Sequence, residues 1–314
     1  MKPVAAIDCG TNSTRLLIAG ADGTALAREM QITRLGAGVD RSGRLASDAI
    51  ERVVSCLHDY RRLIDAHGVA LDPSSVRIAA TSAARDASNR DELFDAIESV
   101  VGVRPVLLSG DDEGRVNWAG ASIGLIPRRD ASGEPALDLL VDIGGGSTEF
   151  IIGRGGEEPV GVCSIDVGCV RCTEQFLRRD PPTAEELSQA ISVVHAYLDD
   201  VERELPAVRE AARLIGVAGT VTTMAAIEIG LPAYNRDRTH HFVLSRAAAE
   251  DVFRTVATER RADRGHNPGL AADRVDTIVA GALILVTIMR HFDFGECLVS
   301  ETDSLDGLVA LLRA

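Results

Sequence analysis

Aromatic residues make up only 4% of this 314-residue chain, and basic side chains are few, with 33 Lys and Arg against 47 Asp and Glu. The formal net charge of −14 argues against a general binder of nucleic acid or of an anionic membrane, because such polyanions are held by arrays of Lys and Arg that displace counterions. Any anionic ligand must therefore meet a local basic patch. Long apolar runs are also missing: the strongest, 277–289, is too short for a membrane span and is bracketed by Asp276 and Arg290, so it reads as a buried helix. No apolar leader with a cleavage-like site follows Met1, and a cytoplasmic location is expected. The six cysteines (Cys9, Cys56, Cys163, Cys169, Cys172, Cys297) are too scattered for a disulfide scaffold and are expected as reduced thiols. Cys169-x-x-Cys172 with Cys163 upstream has no second ligand pair elsewhere to complete a structural zinc site.

What the chain does have is an ordinary globular composition, 46% hydrophobic and 25% charged, at a length that suggests two domains. It also contains an internal echo. Val4-Ala5-Ala6-Ile7-Asp8-Cys9-Gly10-Thr11-Asn12-Ser13-Thr14 is matched by Leu139-Leu140-Val141-Asp142-Ile143-Gly144-Gly145-Gly146-Ser147-Thr148, each a strand followed by Asp-x-Gly-x-x-Ser-Thr. A second apolar run and a glycine-containing reversal follow in both copies, so each opens a domain with a three-stranded meander. Elsewhere, periodicity predicts helices over 47–67 and 89–101 and from Asp111, with strands at 76–80 and 106–108. In the second half it predicts helices over 183–204, from Val221, over 245–260, 271–292 and 305–313, with strands at 214–217 and 297–300. The expected fold is α/β, two lobes that are each a mixed sheet covered by helices, with an interlobe cleft for the ligand. The first lobe spans 1–126 and regains the C-terminal helix 304–314; the second spans 127–303, with the join near 126–135.

An Asp-x-Gly turn bends sharply and leaves backbone N–H groups beside a carboxylate, a combination suited to a phosphate and its neutralising cation. One such turn is more often only a turn, but two in register point to a shared purpose. Asp8 and Asp142 are accordingly expected to face a metal, directly or through water, as hard oxygen donors suited to Mg²⁺. The acidic start of the helix near Asp111 reads structurally on its own, because Ser109 with Asp112 three residues later forms a capping box and acids in a first turn favour the helix dipole.

In their order, these motifs resemble the exopolyphosphatase and guanosine pentaphosphate phosphohydrolase family, within the actin, hexokinase and heat-shock-chaperone superfamily. The resemblance covers essentially the whole chain. It is carried by the two Asp-x-Gly segments, by Ala80-Thr81-Ser82-Ala83-Ala84-Arg85-Asp86-Ala87-Ser88-Asn89, Ser109-Gly110-Asp111-Asp112-Glu113-Gly114-Arg115, Gly216-Val217-Ala218-Gly219-Thr220 and Ala280-Gly281-Ala282-Leu283. It implies two actin-like, ribonuclease H-like lobes and a metal-assisted hydrolysis of phosphoanhydrides with Mg²⁺ as cofactor. It also implies a catalytic carboxylate at Glu113, with Asp142 and Glu149 helping to place water or metal. Asn12, Ser13, Gly145, Gly146, Ser147, Gly219 and Thr220 would hold successive phosphates through backbone N–H groups and hydroxyls, and Arg85 would meet phosphate with a planar fork. Arg171 is a further phosphate candidate, though a charge at a helix start is an equal account of it.

The chain departs from the family pattern at Asp112, Gly114 and Thr302, and it ends at Ala314 without the extra helical domains of the long members. Short-chain inorganic polyphosphate is the expected substrate and guanosine pentaphosphate (pppGpp) the alternative; a homodimer is expected from the resemblance. A non-catalytic actin-like nucleotide switch is the competing class, because Asp-x-Gly clamps also drive lobe closure there.

Overall fold

The structure is a computed structural model that describes residues 2–129 and 133–314; residues 130–132, part of the segment expected to join the lobes, lie outside the described residues. Two compact units result. One runs to Gly120 and includes Asp303–Ala314, and the other is Ala121–Thr302. No helix among the described residues is long and apolar enough to cross a membrane.

The first unit is built on a sheet ordered β3-β2-β1-β4-β5, from β1 (Val4–Cys9), β2 (Ser13–Ala19), β3 (Ala25–Ile32), β4 (Val76–Ala80) and β5 (Val106–Leu107). The first three strands form the antiparallel meander, and β4 joins β1 in parallel after a helical crossover. Strand alternation sorts β1 between two apolar layers. Ala5, Ile7 and Cys9 pack with Leu57 and Ile64 of α1 (Ser47–Ala66) and with Leu93 and Ile97 of α3 (Arg90–Val101). Val4 and Ala6 pack on the other face with Val116 of α4 (Gly110–Ala121) and Leu305, Leu308 and Val309 of the C-terminal helix, Ser304–Arg313. The same alternation puts Asp8, the next even residue, on the face of the C-terminal helix. Between β4 and α3 a single helical turn, α2 (Ser82–Asp86), carries Arg85; the sequence pattern had left this stretch without structure.

Two glycines let the C-terminal helix approach α4. A Cβ on Gly307 would lie 1.9 Å from the carbonyl oxygen of Val116, and one on Gly120 would lie 1.9 Å from that of Asp303. The helix begins with a capping box in which Asp303 accepts from the Leu305 N–H and Asp306 reaches back to the Asp303 N–H, each at 3.0 Å.

The second unit carries a sheet ordered β10-β11-β9-β6-β7-β8, from β6 (Asp138–Ile143), β7 (Thr148–Gly153), β8 (Gly161–Ile165), β9 (Arg213–Val217), β10 (Val243–Ser245) and β11 (Glu296–Val299). Again the first three strands are an antiparallel meander and the next, β9, adds in parallel to β6. Helices α5 (Cys169–Phe176), α6 (Ala184–Glu204), α7 (Ala218–Ile229), α8 (Arg246–Thr258) and α9 (Ile278–His291) cover it. Residues 278–289 of α9 are all buried, as the apolar run predicts. A buried bidentate pair, Arg213 Nε to Asp138 Oδ1 at 2.8 Å and Nη2 to Oδ2 at 2.6 Å, ties the starts of β9 and β6.

Both units are therefore mixed sheets covered by helices, as expected, while two boundaries differ from the sequence pattern. The helix predicted over 271–292 is interrupted: a 3₁₀ turn occupies Ala272–Arg274 and α9 starts only at Ile278. At that break the buried Arg264 guanidinium takes the carbonyl of Val275, which a continuous helix would have used internally, while it also takes the carbonyls of Val256 and Glu259 at the end of α8. The helix predicted from Val221 begins earlier, at Ala218, so Gly219 and Thr220 lie in its first turn rather than in a loop before it.

Replacing Gly307 by Ala puts a methyl group against backbone that cannot yield, and it should lower the stability of the first unit by roughly 1–3 kcal/mol despite the better helix propensity of Ala. Denaturant unfolding of wild type and Gly307→Ala measures this; an unchanged or raised midpoint would contradict the close crossing.

Candidate active site

In the first unit the Asp-x-Gly turn closes with the Gly10 N–H donating to the Ser13 carbonyl at 3.0 Å. The Asn12 carbonyl accepts from the N–H groups of Thr33 (3.1 Å) and Arg34 (2.9 Å), which pins the turn to the segment after β3. Arg34 adopts a left-handed φ of 49° to do so, a backbone cost that a non-glycine residue bears only where its surroundings enforce it. Asp8 is buried at the end of β1. Its Oδ2 accepts from Arg15 Nη2 and from Ser304 Oγ, the latter at 3.1 Å, whereas its Oδ1 is buried with no hydrogen-bond partner.

Glu113 sits in the first turn of α4. The preceding Ser109 and Asp112 form the expected cap, Ser109 Oγ donating to the Asp112 carboxylate at 2.6 Å and accepting from the Asp112 N–H at 3.1 Å. Glu113 takes no part in that cap. It accepts from Arg85 Nη1 at 2.7 Å, and the same nitrogen reaches the Leu108 carbonyl at 3.0 Å. Burial pushes the Glu113 carboxyl up to about 6; Arg85 opposes that rise, Asp8 adds to it and Arg15 subtracts. Asp8, Arg15, Arg85 and Glu113 thus form one electrostatic cluster, with Asn12 and Ser13 on the turn that begins after β1. Cys9 carries no thiolate chemistry here, since burial, with Asp8 adding, raises its thiol well above the usual range.

The second unit repeats the turn with the same closing bond, Gly144 N–H to Ser147 carbonyl at 3.0 Å. Three successive carbonyls are then consumed by α5: Gly144 accepts from the Cys169 N–H (2.9 Å), Gly145 from those of Val170 (2.8 Å) and Arg171 (3.1 Å), and Gly146 from Arg171 Nε (2.8 Å). In a trans peptide the N–H points opposite to its carbonyl, so the N–H groups of Gly145, Gly146 and Ser147 all face away from α5, an arrangement that favours an anion. Gly168 makes this possible, because a Cβ there would lie 2.4 Å from the backbone of Gly145. Arg171 therefore shapes the turn through its Nε.

Asp142 stands directly opposite Glu149 in the β6–β7 ladder, and both are buried; Glu149 Oε1 accepts from Ser164 Oγ at 2.9 Å. At the end of β9 the chain enters α7 through Ala218, another non-glycine residue at positive φ, 64°. Thr220 donates its hydroxyl to the Ile143 carbonyl at 3.3 Å, which joins the start of α7 to the end of β6 and leaves its backbone, rather than that hydroxyl, as the group for a ligand. Gly281 packs against Thr220, where a Cβ would come within 2.6 Å of the methyl group.

One residue here was not among those the sequence singled out. Arg274, in the 3₁₀ turn before α9, lies so close to Gly219 that a Cβ on that glycine would fall 2.1 Å from the guanidinium nitrogens. Among the described residues no carboxylate pairs with Arg274, and its charge is felt by the buried Cys169 thiol. No motif marks it, because what makes it a site residue is the missing side chain of Gly219, far away in sequence.

These carboxylates suit a hard divalent cation. Asp8 has a buried oxygen without a donor, and Asp142 faces a second carboxylate, Glu149, across the ladder. Among the described residues no cluster of three or more His, Cys, Asp or Glu side chains that could hold a metal ion gathers around one point.

Known proteins resemble this chain in sequence and fold. The chain is 37% identical to exopolyphosphatase 2 of Mycobacterium tuberculosis over 98% of each chain. It superposes on the crystal structure of an exopolyphosphatase-like protein with a TM-score of 0.90 at 34% identity, covering 98% of both chains. An exopolyphosphatase from Cytophaga hutchinsonii matches with a TM-score of 0.88 at 25% identity, over 99% of this chain and 98% of that one. The family model described as the Ppx/GppA phosphatase family matches residues 18–311, and with full-length relatives at this identity the chain belongs to that family.

Proposed function

We propose that this protein is an exopolyphosphatase, releasing terminal phosphate from inorganic polyphosphate by metal-assisted hydrolysis. The observation that carries this is Glu113, a carboxylate in the first turn of α4 that is drawn out of the helix cap onto Arg85 and pushed up to about 6. A group poised there is ionised at neutral pH yet basic enough to accept a proton from an attacking water. Arg85 keeps it ionised and aimed, and its planar fork is suited to meeting a phosphate oxygen of the substrate as well.

In the second unit the N–H groups of Gly145, Gly146 and Ser147, together with those of Gly219 and Thr220 at the start of α7, would hold phosphate oxygens. Arg274 beside Gly219 would add a guanidinium to them. Mg²⁺, held through Asp8 and through Asp142 with Glu149, would neutralise charge on the phosphate oxygens. Short chains are the preferred substrate on this reading. A homodimer, drawn from the resemblance, belongs to it, as does a cytoplasmic setting, and light scattering of the purified protein tests the former.

Phosphate release from short and long polyphosphate, pppGpp and ATP, at equal terminal-phosphate concentration with Mg²⁺, should favour short polyphosphate. Preference for pppGpp would move the activity to alarmone hydrolysis, and no release from any of them would leave the nucleotide-switch alternative. Glu113→Gln should lower kcat by roughly 10²- to 10⁴-fold with the fold intact, the usual cost of losing a positioned base; near-normal turnover would remove Glu113 from that role.

The pH profile should show an acid limb near 6, with activity rising as Glu113 loses its proton. Arg85 opposes the rise of that pKa, so in Arg85→Gln the limb should move to higher pH; a limb that stays in place would separate it from Glu113. Arg274→Ala should raise KM for polyphosphate by about tenfold or more with kcat changed less, as expected when binding shared by ground and transition states is lost. An unchanged KM would show that Arg274 only packs on Gly219.

A further inference from the structure

Across the β1–β2 ladder Asp8 is paired with Arg15, and the Arg15 guanidinium is divided between two carboxylates. Nη2 donates to Asp8 Oδ2 and, at 2.7 Å, to Ser304 Oγ; Nη1 donates to Asp303 Oδ2. Ser304 Oγ in turn donates a hydrogen bond to Asp8 Oδ2 at 3.1 Å. Asp303 and Ser304 are the N-cap and first residue of the C-terminal helix, and Arg28 on β3 holds the other side of that cap by pairing with Asp306. The Asp303 carboxyl is disfavoured as an anion by burial, yet Arg15, Arg28 and the Leu305 N–H outweigh this and hold it below the usual carboxylate range.

We infer that Arg15, Asp303 and Ser304 are positioning residues for Asp8, and that the N-terminus of the C-terminal helix is thereby a working part of the active site. The inference rests on the proposed role of Asp8 as an oxygen donor to Mg²⁺. Two donors saturate Oδ2 and fix the plane of the carboxylate, and the buried Oδ1 is the oxygen left to face a cation or its water. The Arg15 fork spans Asp8 and Asp303 with two different nitrogens held in one plane, whereas an ammonium in its place would offer a single nitrogen without that fixed geometry. Outer groups that orient a ligating carboxylate typically set metal affinity by 10–100-fold without touching the metal.

The test measures binding of Mn²⁺ alone, as a spectroscopic stand-in for Mg²⁺, to the full-length protein by electron paramagnetic resonance, beside thermal melting and steady-state kinetics. In Arg15→Lys the Mn²⁺ dissociation constant should rise about tenfold or more, and activity should be recovered at high metal with KM for polyphosphate little changed. Ser304→Ala removes one hydroxyl and no charge, should melt within a few degrees of wild type and should weaken Mn²⁺ binding in the same direction, so it decides the question if Arg15→Lys does not fold. A folded Ser304→Ala and a folded Arg15→Lys that bind Mn²⁺ like wild type would overturn the bracket alone. If Asp8→Asn binds Mn²⁺ as tightly as wild type, or wild type binds none, the role of Asp8 itself falls and the bracket with it.

Discussion

Asp8 is only 6% exposed and ends a strand whose preceding residues on the same face, Val4 and Ala6, belong to an apolar layer. A bare carboxylate in such a place would cost several kcal/mol or take up a proton. Arg15 removes that penalty, and because its other arm is claimed by Asp303, the charge of one strand end is neutralised through the cap of a helix from the opposite end of the chain. Much of the first unit follows from this constraint. The C-terminal helix must reach β1, and so it must cross α4 closely. The crossing then needs glycine at 120 and 307, and the helix it fixes is the one that carries Glu113.

The second unit solves the same local problem differently. Its turn closes with the same hydrogen bond and its strands carry the same register, yet the residue facing the strand-end aspartate is Glu149 instead of an arginine. Like charges opposed across a ladder destabilise it. The first unit thus neutralises its aspartate internally on one oxygen, whereas the second places two carboxylates side by side under a row of outward N–H groups. A duplicated turn has become a positioned single acceptor in one copy and an acidic pair beside an anion cradle in the other.

This division bears on what could be read from the sequence. The echo of Asp-x-Gly-x-x-Ser-Thr was legible because a tight turn dictates its own residues, and strands such as Val76–Ala80 and helices such as Ala184–Glu204, with its Thr183 and Glu186 capping box, announce themselves within a few positions. The cap at Ser109 and Asp112 was equally local. What local pattern could not show was set by distant partners. At the break before α9 the Val275 carbonyl is taken by Arg264, and nothing in residues 271–277 signals it. Arg274 approaches a phosphate-type turn only because Gly219 lacks a side chain. Arg15 sits in plain view on β2, but the meaning of its fork depends on Asp303, which is almost the whole chain away.

The same clusters explain how a chain of net charge −14 can be expected to handle an anionic substrate. Its 33 basic residues include a single lysine, Lys2, so every other cation is a guanidinium that stays charged at any pH the fold survives. Arg15 is spent on Asp8 and Asp303, Arg171 orders the glycine turn, and Arg85 is shared with Glu113. Asp303 is held ionised by its arginines, and Cys9 is held as a thiol. Glu113, in the same cluster, is instead pushed up to about 6. Burial raises this carboxyl and Arg85 restrains the rise, a balance that on the proposed reading would suit Glu113 to take a proton from water.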